Sequence, residues 1–209
     1  MSITTIFFLG FIIALIGVIP PGLLNMSAAK ISLKEGHVRG IMFSSGASLI
    51  VIFQTAIAAF FASYLSNHPD VIEILQRVAF VIFVLITIYF LKFAKNSPEP
   101  SIDMERRSKH SRFLQGMFLS SINLFPIPYH AYMTLTIASF GWMDFAPVSI
   151  ASYVAGALCG TFAMLYMYIF FFDHIKSQKL TSQKNMNILI GSITGIVALV
   201  TFINILMEI

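Results

Sequence analysis

Two apolar stretches broken by proline carry the residues best suited to chemistry in this chain. Pro20, Pro21 and Gly22 interrupt the first, with Asn25 just beyond; Asn123, Pro126 and Pro128 interrupt the second, with His130 just beyond. Proline has no N–H, so Pro20 and Pro21 are expected to free the carbonyls of Ile16 and Gly17, and Pro126 and Pro128 those of Ile122 and Leu124. Inside a bilayer no water is at hand to meet them. Gly22 lets the chain turn without a side-chain clash. A helix resuming near Leu23–Asn25 begins with unpaired N–H groups and the positive end of its dipole, a natural seat for a carboxylate. The freed carbonyls of Ile16, Gly17 and Ile122 would accept from an ammonium group. Two such breaks facing one cavity could hold a zwitterion without any buried charge. Asn25 and Asn123 can each donate and accept, either toward a solute or as bonds between helices.

His130 is the one titratable side chain, tyrosines and Cys159 aside, deep within an apolar stretch. It is suited to proton exchange near neutral pH, or alternatively to a neutral bond with a neighbouring helix. Tyr129, Tyr132, Tyr153 and Tyr166 either line a polar cavity or pack, and Gln54 has the same two readings. Gly36, Gly40, Gly46, Gly156 and Gly160 are spaced for close helix contact.

The elements that position these residues follow from composition. The chain is 57% hydrophobic and 11% charged, too poor in polar surface for a soluble globule of 209 residues. A transmembrane helix needs roughly 20 apolar residues. Stretches 3–29, 40–65, 113–143, 145–172 and 186–207 supply that length. A sixth, 78–91, needs 71–77 to reach across, and there Glu73 and Arg77 stand one turn apart and can pair. The fold class expected is an all-α polytopic membrane protein of six transmembrane helices with broken first and fourth helices. The spacing Phe7, Gly10, Pro20 recurs as Phe113, Gly116, Pro126, the mark of two repeats. Repeat one occupies about 1–94 and repeat two about 113–209, joined by a cytoplasmic linker at about 95–112 within a single transmembrane domain. Three spans per half make the repeats inverted.

Of the 13 basic residues, only Arg77 falls on the side that also carries both termini. The excess of Lys and Arg places the other side in the cytoplasm, so both termini are expected outside. Residues 1–5 hold no Lys or Arg and the apolar stretch behind them is too long for a signal core, so no cleaved signal is expected. The net charge of +4 follows from this orientation and does not call for nucleic acid. Cys159, the single cysteine, can form no intrachain disulfide. No cofactor or metal set stands out, and the lack of a P-loop leaves ATP unable to drive the protein unaided.

Pro21–Gly22 after an apolar first span, Asn25 a little further on, and then Gly36, Gly40 and Gly46 resemble the lysine exporter (LysE-type) superfamily of amino-acid efflux proteins. The resemblance covers essentially the whole chain. Many members read Pro-Gly-Pro at the first break, where this chain has Leu23 in place of the second proline and adds Pro20. Many carry Asn-Pro in the fourth span, where this chain has Asn123 followed by Leu124, with Pro126 displaced. The resemblance implies a transporter, not an enzyme. It would export amino acids or related small solutes across the cytoplasmic membrane, coupled to an ion gradient such as that of H+, and could be a homo-oligomer. Two other readings remain: a rhomboid-like intramembrane protease using Ser45 and His130, although Phe43 stands where a glycine is usual, and a non-transporting scaffold.

Overall fold

The computed structural model describes residues 1–19, 22–93 and 108–175, together with 188, 191–192, 195–196, 198–199, 201–203 and 205–206. Pro20 and Pro21 lie outside the described residues, as do linker positions 94–107 and the basic residues Lys176, Lys179 and Lys184. Every element among the described residues is helical: α1 (Ile3–Val18), α2 (Leu23–Glu35), α3 (His37–Ser66), α4 (Pro69–Ile88) continued by a π-helical turn (Tyr89–Phe93), α5 (Lys109–Ile122), α6 (Pro126–Ser139) and α7 (Pro147–Ile175).

Starts and stops follow local chemistry. Ser2 and Ser108 cap α1 and α5, accepting from the N–H groups of Thr5 and Ser111. Proline opens α4 and α6, where a missing N–H costs nothing because first-turn donors have no intrahelical partner. The loop expected after Ala29 is instead helix through Glu35, and only Gly36 separates α2 from α3. Gly36 has φ +96° and nothing within 4 Å of a Cβ built there. Its role is therefore conformational rather than the close packing expected of it. Lys109 to Arg112, expected as the end of the linker, form the first turn of α5.

Two compact units emerge. One comprises Met1–Ser66 and Met104–Ile175, the other Asn67–Asp103 and Lys176–Ile209. In the second, Phe80 of α4 stacks on Phe202 with ring centroids 5.4 Å apart, and Gly191 lies against Leu91.

In the first unit the distribution of side chains is the reverse of a soluble protein's. Ala47, Ala58, Ala59 and Ala62 of α3 are fully buried, while Phe53, Ile57 and Phe60 of the same helix are exposed. On α1, Ile6, Gly10 and Ala14 face inward and Phe8, Ile12 and Ile16 outward. Small residues inside and large apolar residues outside suit a lipid solvent. Helices α3 and α7 are each long and apolar enough to cross a membrane. Helices α1 and α2 make a third such stretch if taken as one, bent by 78°. In α4 and its continuation the apolar part is the shorter Phe80–Phe93. By length and composition the described residues thus supply two or three of the six expected crossings.

The repeated Phe-x-x-Gly marks two close backbone crossings. A Cβ on Gly10 would strike the carbonyl of Tyr153, and one on Gly156 that of Phe7. At the second crossing, Gly116 meets the carbonyl of Phe43, and Gly46 that of Phe113. Each helix offers an aromatic carbonyl and, one turn later, a glycine that receives the partner's carbonyl. Such approach, with Cα–H groups against carbonyls, needs glycine on both sides. Phe11 meets Gly160 one turn beyond the Phe7–Gly156 contact, so α1 and α7 run parallel. The same holds for α3 and α5, where Gly46 meets Phe113 and Gln54 reaches Ser120. Gly156→Ala is expected to abolish most of the monodisperse protein recovered in detergent, whereas Cys159→Ala, on the exposed side of α7, should leave it unchanged. Size-exclusion profiles of the two variants check this.

Candidate functional site

Both breaks lie in the first unit, and each is sealed by side chains acting on its carbonyls. At the first, the Asn25 amide donates to Val18 O at 2.6 Å and the Tyr168 hydroxyl of α7 donates to Ile19 O at 2.7 Å. The Ile16 carbonyl, expected to be free, accepts from the N–H of Ile19 at 3.1 Å because the helix tightens by one residue as it ends. Gly22 caps α2 at φ −123°, ψ −177°, extended backbone that any residue adopts, so no special glycine conformation is used there. The first intrahelical bond of α2 is Met26 N–H to Gly22 O, which leaves the N–H groups of Leu23 and Leu24 ahead of the helical ladder.

At the second break, Gln54 of α3 donates to Ser120 O at 2.9 Å and to Asn123 O at 2.8 Å. Pro126 and Pro128 do not strip Leu124 of its partner as expected. Both sit in the first turn of α6, and the Leu124 carbonyl accepts from Ile127 N–H at 3.2 Å. Asn123 ends α5 half-buried, and Pro128 is exposed. The two breaks are served in the same manner, each by the long helix that crosses its leading helix: α7 at the first and α3 at the second.

His130 is buried, with Nδ1 2.9 Å from the Tyr153 hydroxyl. The neighbouring Tyr129 donates to Ile13 O at 2.8 Å and lies against Gly17 of α1. The start of α6, just after the second break, therefore touches α1 just before the first. Tyr132 and Tyr166, the other two tyrosines considered, are exposed. The Ser45–His130 pair of the alternative protease reading is not formed. Ser45 Oγ donates to Ile41 O of its own helix at 2.9 Å, and His130 faces Tyr153.

Two features escape the sequence reading. The first is a set of buried polar atoms with no hydrogen-bond partner: Ser44 Oγ, Ser48 Oγ, Thr55 Oγ1 and Gln54 Oε1 on α3, and Ser120 Oγ on α5. Ser44, Ser48 and Thr55 recur on one face of α3, a helical spacing visible in sequence but shared with ordinary packing serines. Because both N–H groups of Gln54 are occupied by carbonyls, its oxygen is presented as an acceptor. The second is an ion pair. Arg112, 1% exposed, donates through Nε to Glu35 Oε2 at 3.0 Å and through Nη2 to Oε1, and Glu35 is 3% exposed. Glu35 is the last residue of α2, beyond the apolar stretch 3–29, and is buried there. Arg39 adds a second cation, its Nε 3.8 Å from Glu35 Oε2 and its Nη1 on Glu35 O at 3.0 Å, while Arg112 Nη1 also donates to Gln115 Oε1.

The carbonyl partners should matter in proportion to the bonds they make. Gln54→Leu leaves two carbonyls without their side-chain donor and should destabilise the protein by about 1–3 kcal/mol; Tyr168→Phe, with one bond lost, by about 1 kcal/mol. Thermal unfolding in detergent measures both, with Ser45→Ala, whose bond stays within its own helix, expected near wild type.

No curated protein and no solved structure shows significant similarity to the chain. The profile of one family does, from residue 15 to residue 204, taking in both breaks, the α3–α5 crossing and the ion pair. With nearly the whole length matched, the chain belongs to the LysE type translocator family.

Proposed function

We propose that this protein is a secondary transporter that exports amino acids or closely related small solutes across the cytoplasmic membrane, with both termini outside. The observation that carries the reading is the pair of helix breaks, each finished by donors from a helix of the opposite half, in a member of a translocator family. An inert bundle has no need to interrupt two helices and then repair them.

Six crossings arranged as two inverted three-helix repeats fit the layout. Helices α1 and α5 lead into the breaks with 16 and 14 residues, α2 and α6 resume with 13 and 14, and α3 and α7 follow with 30 and 29. In inverted repeats the first crossing of one half runs with the second crossing of the other, and the parallel pairs α1–α7 and α5–α3 agree with that. The solute's carboxylate would sit at the N-terminus of α2, near Leu23 and Leu24. Its ammonium group would take Gln54 Oε1 and the Ser120 and Thr55 hydroxyls as acceptors, in place of the carbonyls of Ile16, Gly17 and Ile122. Asn25, Asn123, Gly22 and the prolines at 20, 21, 126 and 128 shape the two breaks around it. His130, held by Tyr153, is the candidate for exchange with the proton gradient.

Efflux from proteoliposomes preloaded with a panel of labelled amino acids tests the reading, and at least one should leave faster than from protein-free vesicles. His130→Gln should retain solute exchange at equal pH yet lose the acceleration given by a pH gradient. A well-folded variant that still responds to the gradient removes His130 from coupling.

A further inference from the structure

The Glu35–Arg112 pair joins α2, which resumes after the first break, to α5, which leads into the second. Burying two charges this completely is expensive, and well-packed apolar residues would hold the helices at least as firmly. What an apolar pair could not do is part and reform between two defined states. Here each ion keeps a polar neighbour in its own half: Glu35 has Arg39 beside it, and Arg112 has Gln115. Parting the pair therefore leaves neither charge bare. The contact that would be lost is a two-toothed one, with Nε and Nη2 of the guanidinium on the two carboxylate oxygens of Glu35. That fork fits any carboxylate of the same shape.

We propose that Arg112 is the first binding residue for the carboxylate of the outgoing solute, and that Glu35 occupies it as an internal substitute while the protein is closed on that side. The proposal rests on the export reading above and on the orientation that puts the α2–α3 turn and the start of α5 in the cytoplasm. When the cytoplasmic side opens, Glu35 stays with Arg39 and Arg112 meets the solute's carboxylate. Moving inward, the solute passes from a guanidinium to the neutral donors of the break. The site thereby selects for a carboxylate before the membrane interior is reached.

The test uses full-length protein in proteoliposomes, with the amino acid that moves fastest in the efflux panel and its carboxamide as competitor. Wild type should discriminate against the carboxamide. Glu35→Gln should lower KM on the cytoplasmic side several-fold, because the internal competitor no longer carries charge. Arg112→Gln should raise that KM about tenfold or more and make the carboxamide compete as well as the acid. The double variant Glu35→Gln/Arg112→Gln removes both buried charges together, so it tests the proposal even where the single Arg112 variant fails to fold, and should also have lost discrimination. Variants with wild-type KM and undiminished preference for the carboxylate overturn the proposal and leave the export reading standing. Wild-type protein that moves no amino acid overturns both.

Discussion

A backbone carbonyl left open inside an apolar slab has no water to turn to, and much of this structure follows from that constraint. Each broken helix ends in carbonyls that some side chain must meet. Asn25 and Tyr168 meet them at the first break and Gln54 at the second, while Tyr129 reaches the Ile13 carbonyl one turn earlier on α1. Tyr168 and Gln54 reach their targets across the close crossings of α1 with α7 and of α5 with α3. The glycines are thus a precondition of the polar contacts rather than a separate device.

The same geometry explains why the polar interior is lopsided. The amide hydrogens of Gln54 are taken by carbonyls, whereas its oxygen and four nearby hydroxyls on α3 and α5 have no partner. The Gln54 oxygen can only accept, while each of the four hydroxyls can accept or donate. At the far end of α2 the balance is reversed, since two guanidinium groups converge on one carboxylate.

Much of the fold was legible in the residues. Hydropathy marked the all-helical, membrane-suited class. The matched Phe-x-x-Gly spacing marked two special sites, although its physical meaning, a reciprocal carbonyl-to-glycine crossing, needed the partner glycines at 46 and 156 to be seen opposite. Gly36 was misjudged because spacing alone cannot separate a glycine that packs from one that turns. The prolines misled in a different way. Sequence placed Pro126 and Pro128 inside a helix, where they would strip carbonyls, but they open one, where they strip nothing. Glu35 and Arg112 were invisible as a pair because the helix reaches further than its charges suggest. A carboxylate four residues from an arginine, as Glu35 is from Arg39, looks like an ordinary solvated helix end.

The reciprocal crossings also carry a consequence for how the chain is made. The partner of α1 is α7, which begins at Pro147, so α1 must wait for a helix made much later. At the usual pace of synthesis that interval is roughly 7–30 s. Throughout it the glycine face of α1, cut for a neighbour that does not yet exist, is open to lipid or to the wrong helix. Helix α5 finds α3 already made and has no such wait. Assembly is therefore staggered. The α3–α5 crossing can form first, and the α1–α7 crossing closes the structure afterwards, so faults introduced into α7 should surface as a nearly finished protein whose first helix has never docked.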